Sequence, residues 1–369
     1  MAENFGPAHA PSVLTVDLGA LRRNYRLIAE RTGAAECAAV VKADAYGAGI
    51  EPVSRALAAA GCQTFFVASL DEALALRTLQ PAPVIYYLNG LMPGDTAVCR
   101  AHGIRPTLND PAQIERWTAD GIAHGEALPT ALHIDTGMAR LGLTPRETAA
   151  LVDAPDRLRG FDITLLLSHM ACADTPDHPM NVEQRDQFEA AAETLPAAAR
   201  SLAASSGALL GPAWHFDMVR AGVALYGVSP HPGHLNPMEQ VIQLQGKILQ
   251  IRDVDTPQTV GYGAAHRFER PTKVATVAAG YADGYPRSLG DAGVAYFGKI
   301  AAPIVGRVSM DLITIDISKA LDAKPGDMVD LIGPNNDLDS VAAAAGTIGY
   351  EILTRLGRRY HRRYIETVA

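Results

Sequence analysis

Apolar and polar positions follow two different rhythms along this chain. Up to Tyr226-Gly227, short apolar runs at 38–41, 64–69, 84–88, 106–109, 131–135, 163–169, 202–205 and 218–220 read as eight strands, mostly separated by helix-like segments. A short strand at 13–16 leads in, and Leu18, Leu21, Tyr25 and Ile28 then fall on one helical face. The segments 71–76, 146–152 and 182–194 are rich in Ala, Leu, Glu and Arg and read as helices. Strand–helix alternation calls for a parallel sheet, and eight units suit a closed (β/α)8 barrel of the TIM type; a doubly wound open sheet is the alternative that periodicity leaves open.

Beyond Tyr226 the rhythm changes. The Pro/Gly/His-rich stretch 229–237 reads as a linker, followed by strand-like runs at 241–251, 273–279, 301–308, 312–317 and 328–332 with turn residues between them. Only 340–345 and the end from Tyr350 look helical. The expected architecture is α/β: a leader over 1–11, a barrel over 12–236, and a mainly antiparallel β domain over 237–369. No repeat beyond the βα alternation is evident.

Composition narrows the class. A chain of 369 residues exceeds one ordinary core, and 48% hydrophobic with 20% charged residues describes a globular protein with material for two. No apolar run reaches the roughly 18 residues a membrane span needs, and the Ala/Pro-rich start lacks an apolar signal core, so a cytoplasmic protein is expected. Cys37, Cys62, Cys99 and Cys172 are scattered without a C-x-x-C pair, which favours reduced thiols over disulfides or metal ligands. The net charge of −8 argues against nucleic acid as a partner. The arginines at 355, 358, 359, 362 and 363 read as a solvated or subunit-contacting helix end.

The candidate chemistry lies at strand ends. Lys42, Arg140, His169, Ser206 and Arg220 each stand at or just after the carboxyl end of a proposed barrel strand, where such folds build their sites. Singly each has a plain reading: a surface cation, a structural histidine, a helix N-cap, a strand-end salt bridge. A dianion is held well by backbone N–H groups in Gly-containing turns together with the hydroxyls of Ser206 and Tyr46. In the second half, Tyr262 stands between Gly261 and Gly263, an arrangement that exposes its phenol, with a turn tyrosine used for packing as the plain reading.

The local strings sharpen these readings. V-V-K-A-D-A-Y-G-A-G at 40–49, H-I-D-T-G-M-A-R-L-G at 133–142, Ser168-His169, Ala204-Ser205-Ser206, H-F-D-M-V-R-A-G-V at 215–223, V-G-Y-G-A at 260–264, G-Y-A-D-G-Y-P-R at 280–287 and G-R-V-S-M-D at 306–311 resemble the signatures of the alanine racemases. They occur in that family's order and cover nearly the whole chain. The resemblance implies that Lys42 carries pyridoxal 5′-phosphate covalently. It implies that Tyr46, Ser206 and the backbone of Gly222 and Val223 hold the phosphate, and that Arg220 faces the pyridine nitrogen. Arg140 is implied near the cofactor's phenolic oxygen and the substrate carboxylate, Met310 as a backbone donor to that carboxylate, and Tyr281 at the substrate entrance. Tyr262 is implied as the second acid/base, delivered with Met310 from the other subunit of a homodimer and linked through His169 to Arg220.

Racemisation fits these parts. Loss of the α-proton leaves a carbanion that a conjugated cofactor must absorb, and inversion needs one base on each face of Cα. The expected activity is interconversion of L- and D-alanine, supplying D-alanine as a cell-wall (peptidoglycan) precursor. A broad-specificity or serine/basic amino-acid racemase of the same fold is the alternative. A decarboxylase of similar architecture uses a β-domain cysteine, and no cysteine follows Cys172; a non-catalytic carrier resembles an isolated barrel.

Three positions depart from the family pattern. Many relatives carry a carbamylated lysine where His133 stands, and often a cysteine where Ser309 stands. A tyrosine that supports the phosphate or the entrance in some members aligns with the stretch 358–360.

Overall fold

The computed structural model describes residues 9–79 and 81–368, so most of the expected leader, residues 1–8, lies outside the described residues. Strand β1 (Ser12–Asp17) is followed by the helix Leu18–Thr32, whose apolar positions Leu18, Leu21, Tyr25 and Ile28 are all buried, as their spacing requires. Asp17 starts that helix by accepting the amides of Gly19 and Ala20 at 2.8 and 3.1 Å.

Eight strands then build the barrel: β2 (Glu36–Val40), β3 (Thr64–Val67), β4 (Val84–Tyr87), β5 (Arg105–Leu108), β6 (Leu128–His133), β7 (Phe161–Leu167), β8 (Ala199–Ser201) and β9 (Met218–Ala221). They are all parallel in the order β8-β7-β6-β5-β4-β3-β2-β9. The two outer strands meet, with the Asp217 amide donating to Arg200 O at 3.0 Å and the Arg220 amide to Ala203 O at 2.9 Å. A closed sheet leaves no unpaired edge, and this decides for the barrel over the open sheet. Phe65, Phe66, Leu132, Leu165 and Leu166 are fully buried on these strands.

The remaining strands form a mainly antiparallel sheet organised on β10 (Ile242–Val254), which pairs antiparallel with β1, Thr272–Val277 and Met328–Ile332. Three expectations are corrected here. The strand at 13–16, expected within the barrel segment, belongs to this second sheet, because β1 lies between β10 and the strand His361–Ile365. The end of the chain is helical only over Gly349–Thr354; His361–Ile365 is a strand that gains its hydrogen bonds from β1. Arg362 and Arg363 therefore lie on a strand, Arg362 donating to Gly47 O at 2.9 Å and Arg363 to Thr15 Oγ1 at 2.8 Å. The strand expected at 202–205 instead spans Ala199–Ser201, and Ser205-Ser206-Gly207-Ala208 already turns as a short helix.

Cys37, Cys62 and Cys99 are buried free thiols and Cys172 is half-buried and free. No helix among the described residues is long and apolar enough to cross a membrane.

Candidate active site

At the carboxyl ends of the barrel strands lies a cavity of about 380 Å³. Seven of the eight strand ends line it: Lys42 after β2, Ala68 after β3, Asn89 after β4, His133 closing β6, His169 after β7, Ser205 after β8 and Val223 after β9; Asn109 after β5 backs His133 from outside. Lys42 is the first residue of an unusual turn. Ala43, Asp44, Ala45 and Tyr46 all have left-handed φ between 52 and 55°, and Gly47 continues at 80°. Such backbone costs a non-glycine residue roughly 1–2 kcal/mol, so the surroundings must hold it.

They do so with named bonds. Glu72 accepts the Ala43 amide at 2.6 Å and, with its other oxygen, the Ala68 amide at 2.9 Å. Asp44 accepts the Ile50 amide at 2.8 Å. Tyr46 is buried, its ring 4.8 Å from that of Tyr226, and at Gly222 an added Cβ would lie 2.7 Å from the Tyr46 hydroxyl. The strain thus turns the chain sharply enough to place Lys42 in the cavity and Tyr46 beneath it.

Arg220 is the buried cation of the site. Its guanidinium donates to Ser201 O and Oγ at 2.9 and 2.7 Å, to Ser168 O at 2.7 Å and to His169 Nδ1 at 3.3 Å. Burial lowers its pKa to about 10, which still leaves it protonated at neutral pH. Because the guanidinium only donates, His169 Nδ1 is the acceptor and its proton sits on Nε2. Burial first, and then Arg220, lower His169 to about 3, so it is a neutral imidazole. Burial, followed by Arg140, also lowers the Lys42 pKa, with Glu72 partly opposing.

Donors suited to an anion lie at the Tyr46 end. The Ser205 hydroxyl accepts the amides of Gly222 and Ala224 at 2.9 and 3.3 Å, which fixes the 222–224 turn. The turn Val223–Tyr226 opens there, and the first N–H groups of such a turn lack partners within it. The Tyr46 hydroxyl makes no hydrogen bond among the described residues. An amine with a lowered pKa at one end and uncommitted donors at the other fit an aldehyde that carries a phosphate.

Residues 16–230 match the family described as alanine racemase, N-terminal domain, and residues 241–364 match alanine racemase, C-terminal domain. The chain belongs to the alanine racemase family. Among its relatives, the alanine racemase of Rhodospirillum rubrum is 49% identical over 359 residues, 96% of each chain. The catabolic alanine racemase of Mesorhizobium japonicum is 45% identical, over 97% of this chain and 94% of that one. The crystal structure of alanine racemase from Bartonella henselae, with covalently bound pyridoxal phosphate, superposes with a TM-score of 0.93 at 41% identity, covering 96% of this chain and all of that one. Membership makes the chain an isomerase that works with pyridoxal phosphate.

Within this racemase the expected residues fall into two groups. Lys42, Tyr46, Arg140, His169, Arg220, Gly222 and Val223 line one cavity. Ser206 lies on the same turn as Ser205 but does not line it. Tyr262, Tyr281 and Met310 are not among the lining residues either, and are 72%, 40% and 53% exposed. The latter two belong to one hydrogen-bonded unit, the Tyr281 and Ala282 amides donating to Ser309 O and Met310 O.

Four contributors escaped the sequence reading. Tyr350, not the 358–360 stretch, lines the cavity, its ring 6.3 Å from that of Tyr46, whereas Tyr360 is buried elsewhere. Ser205 stands in the Ala204-Ser205-Ser206 string but was passed over for its neighbour Ser206, while Glu72 and Asn109 act through hydrogen bonds to backbone or to another side chain, which no local string announces. A glutamate three residues after a helix-capping serine was the one available signal, since Ser69 and Glu72 form a capping box.

Proposed function

We propose that this racemase interconverts L- and D-alanine through two bases, Lys42 on one face of Cα and Tyr262 of the partner subunit on the other, in a homodimer. The observation that carries the proposal is the Lys42 amine, shifted toward its neutral form, in the cavity that also holds the Arg220–His169 pair. Bound pyridoxal phosphate supplies the electron sink that lets the Cα–H bond ionise.

The residues divide the remaining work. Lys42 would hold the cofactor, and its free amine carries a proton to and from Cα; its lowered pKa reduces the cost of being neutral. A free phenol with a pKa near 10 is a poor base, so Tyr262 needs a polarising neighbour. The neutral His169 donates from Nε2 while Arg220 backs its Nδ1, which stabilises a phenolate without giving up a second proton. Arg220 would face the ring nitrogen of bound pyridoxal phosphate, and a guanidinium there would keep that nitrogen unprotonated. Tyr46, the Ser205-Ser206 turn, Gly222 and Val223 would hold its phosphate. Arg140 and the Met310 amide receive the substrate carboxylate, with Tyr281 at the entrance.

The high exposure of Tyr262 and Met310 supports their delivery to a second copy. In the cell the product serves as a cell-wall precursor, and a cell deprived of the gene is expected to require D-alanine.

The test compares formation of the D-isomer from L-alanine, L-serine and L-lysine, assays CO₂, and locates the cofactor by borohydride reduction and peptide mass spectrometry. The expected result is fastest turnover of alanine, no CO₂, and an adduct on Lys42. Preference for a larger substrate, release of CO₂, or an adduct on another lysine overturns the assignment.

A further inference from the structure

The neighbouring mouths of β4, β5 and β6 carry a hydrogen-bond chain that ends without a partner. Asn109 donates from Nδ2 to Leu88 O and to Thr107 O, each at 3.1 Å, and its backbone amide donates to Gln113 Oε1 at 2.9 Å. Gly90 fits against this cluster only because it has no Cβ, which would lie 2.1 Å from Gln113 Oε1 and 2.7 Å from Asn109 Nδ2. Two carbonyls thus fix which end of the Asn109 carboxamide is nitrogen, and Oδ1 is left facing His133 Nδ1 at 2.7 Å. An amide oxygen can only accept. The proton of His133 therefore sits on Nδ1, and Nε2 keeps a bare lone pair.

The opposite edge of the ring is pinned as well. A Cβ on Gly142, whose φ is 103°, would lie 3.0 Å from His133 Cδ2, so the loop backbone runs close against that edge of the imidazole. That loop is rigidly built. Asp135 Oδ1 accepts the amides of Gly137 and Met138 at 3.0 Å each, and the Leu143 amide returns to His133 O at 2.8 Å. Arg140 rides on this loop and lines the same cavity as His133, yet its guanidinium makes no hydrogen bond among the described residues. No carboxylate lines that cavity to receive it.

We propose that His133 is a positioning residue, held by Asn109 as a neutral imidazole so that its bare Nε2 accepts from Arg140 and aims that guanidinium at the substrate carboxylate. The assignment rests on the racemase reading for the role of Arg140, but the tautomer of His133 does not. Burial and nearby Arg220 hold the ring below its ordinary titration range, at about 4, in keeping with a neutral acceptor. An acceptor without charge orients the arginine without cancelling the charge that substrate must meet, which a carboxylate at this position does.

Two readouts test this. In protein labelled with ¹⁵N-histidine, the His133 signals, assigned by their loss in His133→Gln, are expected to show a neutral Nδ1–H ring that does not titrate between pH 8 and 5. A ring protonated on Nε2, or one titrating near pH 6.5, overturns the proposal whether or not the enzyme racemises alanine. In Asn109→Asp a carboxylate faces Nδ1–H and draws a second proton onto the ring, converting Nε2 from acceptor to donor. That variant is expected to raise the KM for alanine roughly tenfold at neutral pH, with kcat changed far less and KM recovering toward alkaline pH. A KM that stays at the wild-type value across pH, in a variant whose His133 is shown by NMR to be protonated, overturns the proposal. Wild-type protein that fails to racemise alanine removes the functional reading instead and leaves the NMR result standing.

Discussion

His169 and His133 show how one residue type is set to opposite tasks by its hydrogen-bond partner. Arg220 donates to His169, so that ring keeps its proton on Nε2; Asn109 accepts from His133, so that ring keeps its proton on Nδ1. Burial, with Arg220 as the next cause, lowers both, to about 3 and about 4 from the ordinary 6.5. Between those values and 6.5 the unfolded chain binds protons that the native protein refuses. The corresponding stability is therefore fully present above 6.5 and is lost as the pH falls through that window. Urea unfolding is expected to give a plateau at neutral pH and declining stability below about pH 6.5, with a shallower decline in His133→Gln. An unchanged slope in that variant contradicts the neutral assignment. Lys42, His169 and Arg220 were legible because each closes a strand and sits in a recognisable string. Asn109 and Glu72 were not, since the contacts that make them matter, to His133 and to the Ala43 amide, join segments far apart in the sequence.

The decisive element is the left-handed turn after β2. It occupies Ala43 to Tyr46, where only Asp44 has any leaning toward positive φ, so neither propensity nor pattern announces it. It persists because Glu72, Asp44 and the Tyr46–Tyr226 contact hold it from outside. Gly47 closes the turn at φ 80°, where a Cβ would lie 2.5 Å from Leu353 O. Gly47→Ala is therefore expected to destabilise the protein by about 1–3 kcal/mol in urea titration and to lower the fraction of protein carrying cofactor on Lys42. Wild-type stability and loading in that variant contradict the account of the turn. Where apolar spacing alone fixes an element, as in the helix Leu18–Thr32 or β7, the sequence was sufficient. His361–Ile365 was misread because a segment this polar becomes a strand only when β1 supplies its partners.

At the scale of the whole molecule, the barrel gathers one group of the expected residues in a single cavity, while a small two-stranded hairpin of the second domain displays Tyr262 on the surface. Lys42, Arg140, His169 and Arg220 converge within one chain, whereas Tyr262, at 72% exposure, does not join them. The barrel followed by a β domain was readable from the change of rhythm near Tyr226. The sharing of β1 with the second sheet was not, because pairing between the chain's start and its end leaves no local trace. In the proposed dimer each catalytic centre combines Lys42 of one subunit with Tyr262 of the other. Two inactive variants, Lys42→Ala and Tyr262→Phe, are therefore expected to restore activity when unfolded together and refolded. Half of the randomly formed dimers are then mixed and hold one intact centre of two, giving about a quarter of the wild-type rate, while each variant refolded alone stays inactive. No recovery from a mixture shown to contain mixed dimers, or a Tyr262→Phe variant that alone keeps full racemase activity, contradicts the two-base, two-subunit site.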